Sequence, residues 1–357
     1  MDRSRYPFLA QSDVIHLDAS AAFPLNERVI SVVDQAMKQT LGAPGKASYS
    51  SSEKVTIRTN QIRQQVADFI DADTSEVFFT ASATDAIKFL ADAWAVDSSV
   101  LYSPEDHSRI IAEIKHRATN SQSISCRADG EYDYDQINNS SIDVAFISSL
   151  HHVYGSYNDI EKIRQLLPST KLVVDVSQSI SRESTSVKKG NIDALFFSSQ
   201  KVGGIAGVGV LYVAKKHHSA LDLSRLEPNT IPFIPLVSLS EALSILQEHD
   251  LASASLRLAR VTTNLIDGLQ QNKNVVFSKG PAYPEYRCYG SGILSFSING
   301  YASQDIAMIL DEQAIQVRAG DHCLDPSAAD QDVVRISVHE YTTKEELEKI
   351  IEVIQVL

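Results

Sequence analysis

Lys201 lies in the run Leu195 to Val213, LFFSSQKVGGIAGVGVLYV, between one apolar segment and a glycine-rich loop that returns into a second. Rigid flanks of this kind can hold an amine dry. A desolvated lysine has a depressed pKa and forms a Schiff base with an aldehyde. Asp175 closes the apolar run KLVV, where a carboxylate is costly to bury alone and calls for a cationic partner. The protonated ring nitrogen of pyridoxal phosphate is such a cation, and an aspartate beside it makes the ring a better electron sink. A hairpin lysine and a helix-capping aspartate are the plain alternatives. The succession Asp175, Gln178 and an SxQK lysine some twenty residues on disfavours them.

The elements that must position these groups alternate. EVFFT leads through ASATD to the helix AIKFLADAW; SVLYS leads to EDHSRIIAEIKHRA; SIDVAFISS leads to HHVYGSYNDIEKIRQLL, read as helical; KLVVDVS and DALFFSS follow, and VGVLYVA closes the series. Strands that are apolar on nearly every residue and separated by helices predict a mostly parallel sheet covered on both faces. Ligands gather at the carboxyl ends of such strands, where His107, His152, Asp175, Gln178, Ser198 and Lys201 all fall. The small-residue loop before AIKFL offers free N–H groups at a helix N-terminus, which suits a phosphate held by Ala83 and Thr84. Upstream, VIHLDASAAFPL is extended, NERVISVVDQAMKQTL is an amphipathic helix, and GAPGKASYSSSEK reads as a long loop ahead of a helix over about Thr56 to Phe69. Downstream, Pro235 to about Asn272 reads as one long linker helix. A small α+β lobe follows, with strands GILSFSI, IQVRAG and VVRISV and helices ASQDIAMILDEQ and KEELEKIIEVIQVL.

At 357 residues the chain can bury a full core and form two lobes. A formal net charge of -13 argues against nucleic acid or an anionic membrane surface as the main partner and favours small molecules or proteins. MDRSRYPFLAQSD has no apolar h-region and no apolar run reaches bilayer length, so the expected location is the cytoplasm. The three cysteines, Cys126, Cys288 and Cys323, form no CxxC pair and support neither a disulfide framework nor a cysteine-rich metal site, and no metal is expected.

Taken in order, LDASAAFPL, SATDA, EDH, HHVYG, DVSQ, SSQK, RAGDHC and VVRISVHEYTT resemble the fold-type I, class V pyridoxal-phosphate enzymes. Within them they resemble the cysteine desulfurases, nearest the branch of SufS-like desulfurases and selenocysteine lyase. The resemblance runs along nearly the whole chain. It implies an α/β fold with a mostly parallel seven-stranded sheet flanked by helices, plus a small α+β C-terminal lobe. The implied division is an N-terminal arm of the small lobe over 1–24, a large cofactor-binding domain over 25–235, and a linker helix with the small domain over 236–357. It also implies pyridoxal 5'-phosphate as cofactor, L-cysteine as substrate, a homodimer and a protein sulfur acceptor.

Carried over by the resemblance, Lys201 is the covalent anchor of the cofactor and moves protons at the substrate. Asp175 pairs with the ring nitrogen and Gln178 with the phenolic oxygen. His107 stacks on the ring and serves as a catalytic acid/base, with Asp106 replacing a usual Glu. Ala83, Thr84 and Ser198 bind the phosphate, and Arg335 clamps the substrate carboxylate bidentately. Cys323, in R-x-G-x-x-C, takes the sulfur as a persulfide; its polar, Pro-bearing loop suits a thiolate nucleophile. Arg318 anchors that loop or approaches the site, and Cys126 and Cys288 are structural.

Three departures stand out. Gln200 occupies the place of a His before the lysine, as in some class V aminotransferases, and its amide can still donate to phosphate. His152 occupies the place of an Asn that contacts the ring oxygen or substrate. Glu227 in EPNT stands where a threonine normally reaches the neighbouring subunit's phosphate; a carboxylate there is repulsive, leaving the contact to Asn229 or Thr230. The rival readings are another class V activity (a C–S lyase, selenocysteine lyase or aminotransferase) and a weakly active sulfur-relay scaffold.

Overall fold

The computed structural model describes residues 2–40, 49–137, 141–227, 232–280, 291–326, 328 and 332–357. A single helical turn, α1 (Pro7–Ala10), precedes β1 (Ile15–His16), α2 (Glu27–Gln39) and α3 (Ser50–Ile70). Then come β2 (Val77–Thr80), α4 (Ala83–Trp94), β3 (Ser99–Tyr102), α5 (Ser108–Arg117), β4 (Asn120–Ser123), β5 (Val144–Ser148), α6 (Ile160–Leu166), β6 (Lys171–Asp175), β7 (Ala194–Ser198) and β8 (Gly209–Val213). The helices α7 (Phe233–Gln247) and α8 (Leu251–Leu269) lead to β9 (Val275–Phe277), β10 (Ile293–Ile298), α9 (Ser303–Asp311), β11 (Ile315–Gln316), β12 (Arg318–Gly320), β13 (Val333–Ser337) and α10 (Lys344–Gln355).

Seven strands form one sheet in the order β2-β8-β7-β6-β5-β3-β4. β8 runs against both its neighbours and the remaining pairs are parallel. The continuous apolar runs have the cause expected of them: every residue of β5 and of β8 is buried. On one face α4 and α5 pack Leu90, Trp94, Ile110 and Ile114 against Val144, Val173 and Phe196. On the other, α3 and α7 pack Ile62, Val66, Leu239 and Leu243 with Phe79, Ile147, Val174 and Phe197. Each such side chain contributes about 1.5–3 kcal/mol on burial. A four-stranded antiparallel sheet, β12-β13-β10-β9, carries α8, α9 and α10 around Leu294, Phe296, Val334 and Ile336. β1 pairs in parallel with β11, and Asp18 bridges to Ser337, so the N-terminal segment is sewn to this second unit.

Several expectations are corrected. α3 begins at Ser50, not near Thr56, because Ser52 and Val55 already face the core. Of the loop read from Gly42 onward, residues 42–48 lie outside the described residues and Ser50 to Lys54 are helical. The linker is two helices, broken at Glu248–Asp250, where the Asp250 carboxylate accepts from Ala252 N–H and starts α8. HHVYGSYND is a turn, not helix, and only Ile160–Leu166 is helical. IQVRAG is divided between two sheets on either side of Val317. β4, a polar and largely exposed edge strand, gave no apolar signal to read. No described helix is long and apolar enough to cross a membrane.

Candidate active site

Because β2, β3, β5, β6 and β7 run the same way, their carboxyl ends open on one cavity of about 200 Å³, lined by Ala83, Thr84, His107, His152, Asp175, Gln178, Ser198, Gln200 and Lys201. All nine were expected there from the sequence. The N-terminus of α4 is presented by the Ser82 cap, whose hydroxyl accepts from Asp85 N–H, while Ala83 N–H donates to Ser198 Oγ at 3.0 Å. Gly209 permits this approach: a Cβ there would lie 2.5 Å from the Ser82 carbonyl carbon.

Lys201 is desolvated. Burial first, and then the positive charge of Arg335, pull its pKa from 10.5 down to about 8, against the opposing pull of Asp175 and Asp18. Its Nζ donates to the Ser20 carbonyl, which also accepts from Gln178 Nε2 at 3.2 Å. Asp175 accepts from Ser177 N–H at 2.8 Å, and burial raises its pKa above the ordinary carboxylate value, with Lys201 opposing. A carboxylate in that condition favours a cationic partner. His107 caps α5 by accepting on Nδ1 from Arg109 N–H at 3.2 Å, so Nε2 carries its proton. Burial, then Lys201 and Arg318, push its pKa down to about 4 and keep it neutral. Asp106 turns away into the core, where both its oxygens accept from Tyr132 Oη at 2.8 and 2.7 Å; it supports the strand end behind His107.

The second unit brings two arginines, Arg318 and Arg335, close enough for their charges to act on Lys201 and His107. Arg318 and Arg335 are directly opposite each other across β12 and β13, an arrangement of like charges that needs anions to sustain it. Arg335, 2% exposed, donates to Asp18 Oδ1 at 2.8 Å and to the His152 carbonyl at 3.0 Å, and its Nε is buried without a partner. Arg318 Nη2 lies 3.2 Å from Cys323 Sγ. Thus Cys323, partly exposed, joins the two arginines, and Cys126 is buried in the large unit; Cys288 lies outside the described residues. Among the described residues no cluster of His, Cys, Asp and Glu suits a metal ion.

Glu227 is engaged within its own chain. Arg63 of α3 grips its carboxylate with both terminal nitrogens, and Phe79 N–H of β2 donates to it at 3.1 Å. Asn229 and Thr230 lie outside the described residues. Because the pair is partly buried and hydrogen-bonded, Glu227→Ala is expected to cost roughly 1–3 kcal/mol, read as a fall in denaturant midpoint. Sequence reasoning missed Asp18, Ser20, Ser108, His151 and His322. The small-residue loop after LD was the available signal for the first two, since a loop without large side chains lets Lys201 reach the Ser20 carbonyl and Arg335 the Asp18 carboxylate.

The cavity fits pyridoxal phosphate: a helix N-terminus for the phosphate, Asp175 for a protonated ring nitrogen, and a desolvated lysine for the aldehyde. Fold and site together define a lysine-centred α/β enzyme built on a parallel sheet. The chain belongs to the aminotransferase class-V family, whose sequence model matches residues 15–350. It is 25% identical to a probable cysteine desulfurase of Methanothermobacter thermautotrophicus, over 94% of this chain and 92% of that one. It is also 25% identical to the cysteine desulfurase IscS of Pasteurella multocida, over 96% and 92%. Among solved structures it superposes on the apo cysteine desulfurase of Thermococcus onnurineus NA1 with a TM-score of 0.92 at 20% identity, covering 99% of this chain and 96% of that one. The cysteine desulfurase CsdA of Escherichia coli gives 0.83 at 20%, covering 99% and 96%.

Proposed function

We propose that the protein is a pyridoxal-phosphate-dependent cysteine desulfurase that converts L-cysteine to L-alanine and carries the sulfur as a persulfide on Cys323. The observation that carries this reading is the placement of the Cys323 thiol 3.2 Å from Arg318, itself paired across the sheet with Arg335. A substrate carboxylate taken by Arg335 lies beside the strand pair from which Arg318 reaches that thiol. Pyridoxal phosphate, when bound, supplies an aldehyde that links to amines and a protonated ring that withdraws electrons from the adjoining carbon. Ala83, Thr84 and Ser198 hold its phosphate, Asp175 keeps its ring nitrogen protonated, and Gln178 and Gln200 donate amide N–H groups. Lys201 takes the proton from the substrate Cα, which its low pKa permits near neutral pH. The Cys323 thiolate forms an S–S bond as the substrate C–S bond breaks, the electron pair passing to the substrate carbon, which then takes a proton. A protein acceptor with a thiol, or a small reductant, regenerates Cys323, and a homodimer is the expected assembly.

Gln200 and His152 favour a second reading, a class V lyase or aminotransferase. Incubation with cysteine separates the two. A desulfurase makes alanine and leaves a sulfur atom, read by mass spectrometry, on the peptide containing Cys323. A lyase makes pyruvate with no need of that thiol, and pyruvate without persulfide would overturn the proposal.

A further inference from the structure

The turn that carries the thiol is held against the sheet by two bonds to its backbone carbonyls. Ser108 N–H, at the start of α5, donates to the Cys323 carbonyl at 2.7 Å. The ring of His152 reaches the preceding carbonyl, with Nε2 3.1 Å from His322 O. The turn needs such restraint. His322 and Cys323 have φ of 51° and 63°, the left-handed region that non-glycine side chains disfavour, and such a conformation persists only where its surroundings over-determine it.

The protonation of His152 follows from its partner. A carbonyl only accepts, so Nε2 must carry the proton and Nδ1 must be a lone pair. Burial pushes the ring's pKa well below the ordinary value, so the neutral donor persists across physiological pH. The ring is also fixed in place. It is stacked on His151 at 5.2 Å, and His151 Nε2 donates to the Glu105 carbonyl at 2.7 Å; the His107 ring lies 5.3 Å away, tilted. Its own backbone carbonyl receives Arg335 Nη1. His152 therefore ties the loop after β5 to the carboxylate-clamping arginine through its backbone and to the thiol turn through its ring.

We propose that His152 is a positioning residue for the nucleophile: by donating Nε2–H to the His322 carbonyl it latches the turn that sets the Cys323 thiol beside Arg318. Its consequence for turnover rests on the proposed role of Cys323, but the latch itself does not. It also explains why histidine can stand where the resemblance places an asparagine, since the side chain is engaged with the thiol turn instead of serving as a donor to the cofactor.

The test is the rate at which iodoacetamide labels Cys323 in the purified full-length protein, read by mass spectrometry of its peptide. His152→Phe keeps the ring and its stacking but has no donor, and it is expected to label about five- to tenfold faster, as loss of one neutral hydrogen bond allows. His152→Gln, whose amide can donate to the same carbonyl, is expected to return to within about twofold of wild type. With cysteine as substrate, the Phe variant is expected to lose kcat with little change in KM. Wild-type labelling in the Phe variant overturns the latch. Equal acceleration in Phe and Gln also overturns it, because ring packing and not the hydrogen bond would then hold the turn. If the wild type makes no alanine from cysteine while the Phe variant labels faster and Gln restores it, the latch stands and the desulfurase reading falls.

Discussion

Cys323→Ser is expected to leave cofactor binding and visible absorbance unchanged while alanine formation from cysteine falls by about 10³-fold or more, the scale on which loss of a nucleophile acts. The argument is one of place and chemistry. The Cys323 side chain lies on the second unit, on a turn between β12 and β13, whereas the groups suited to the cofactor end the strands of the large sheet. The substitution exchanges the sulfur beside Arg318 for a hydroxyl oxygen and touches neither Lys201 nor Asp175. A hydroxyl at this position retains the volume and a hydrogen-bond acceptor, but is far too weakly acidic to attack a sulfur at neutral pH. Full alanine production by the serine variant would show that sulfur leaves without that thiol, as in a lyase. Loss of absorbance would show that the turn is part of the cofactor site.

What could be read in the sequence was whatever is written in short spacing. The sheet was legible because β5, β6, β7 and β8 are buried on both faces and so carry unbroken apolar runs, and Asp175 and Lys201 were legible because each ends or follows such a run. What could not be read depends on distant contacts. The Arg335–Asp18 pair joins residues 317 positions apart, and the single word IQVRAG serves two different sheets, one completed by the N-terminal β1. Glu227 shows the same limit in reverse. EPNT shows a carboxylate in a threonine's place, with the phosphate contact left to Asn229 or Thr230, but nothing local says that its partner is Arg63, on a helix 164 residues earlier. His152 was marked as a departure, but its bond to His322 spans 170 positions and no local pattern encodes it.

Lys201→Met is expected to abolish the visible absorbance of lysine-bound cofactor and to lower alanine formation by at least about 10³-fold, since in the proposed mechanism the amine is both the attachment point and the proton carrier. The same substitution tests the electrostatics by an independent measurement. In the native protein the lysine titrates at about 8 against an ordinary value of 10.5, because burial and Arg335 oppose its charge. Between those two values the unfolded chain holds the proton and the folded chain does not, so stability rises with pH through this window. Below pH 8 both states are charged, and the full cost of burying the ammonium falls on the folded protein. Methionine fills a similar volume with no charge, so in cofactor-free protein Lys201→Met is expected to be more stable at pH 7 by roughly 1–3 kcal/mol, an advantage that disappears as pH approaches 10.5. Denaturant titrations at pH 7 and pH 10 measure it. A variant that is inactive but no more stable at pH 7 would mean that Asp175 and Asp18 offset the burial in full and that the amine is not poised near neutrality. A gain at pH 7 that is lost at pH 10 identifies a lysine whose reactivity is held in place at the expense of the fold.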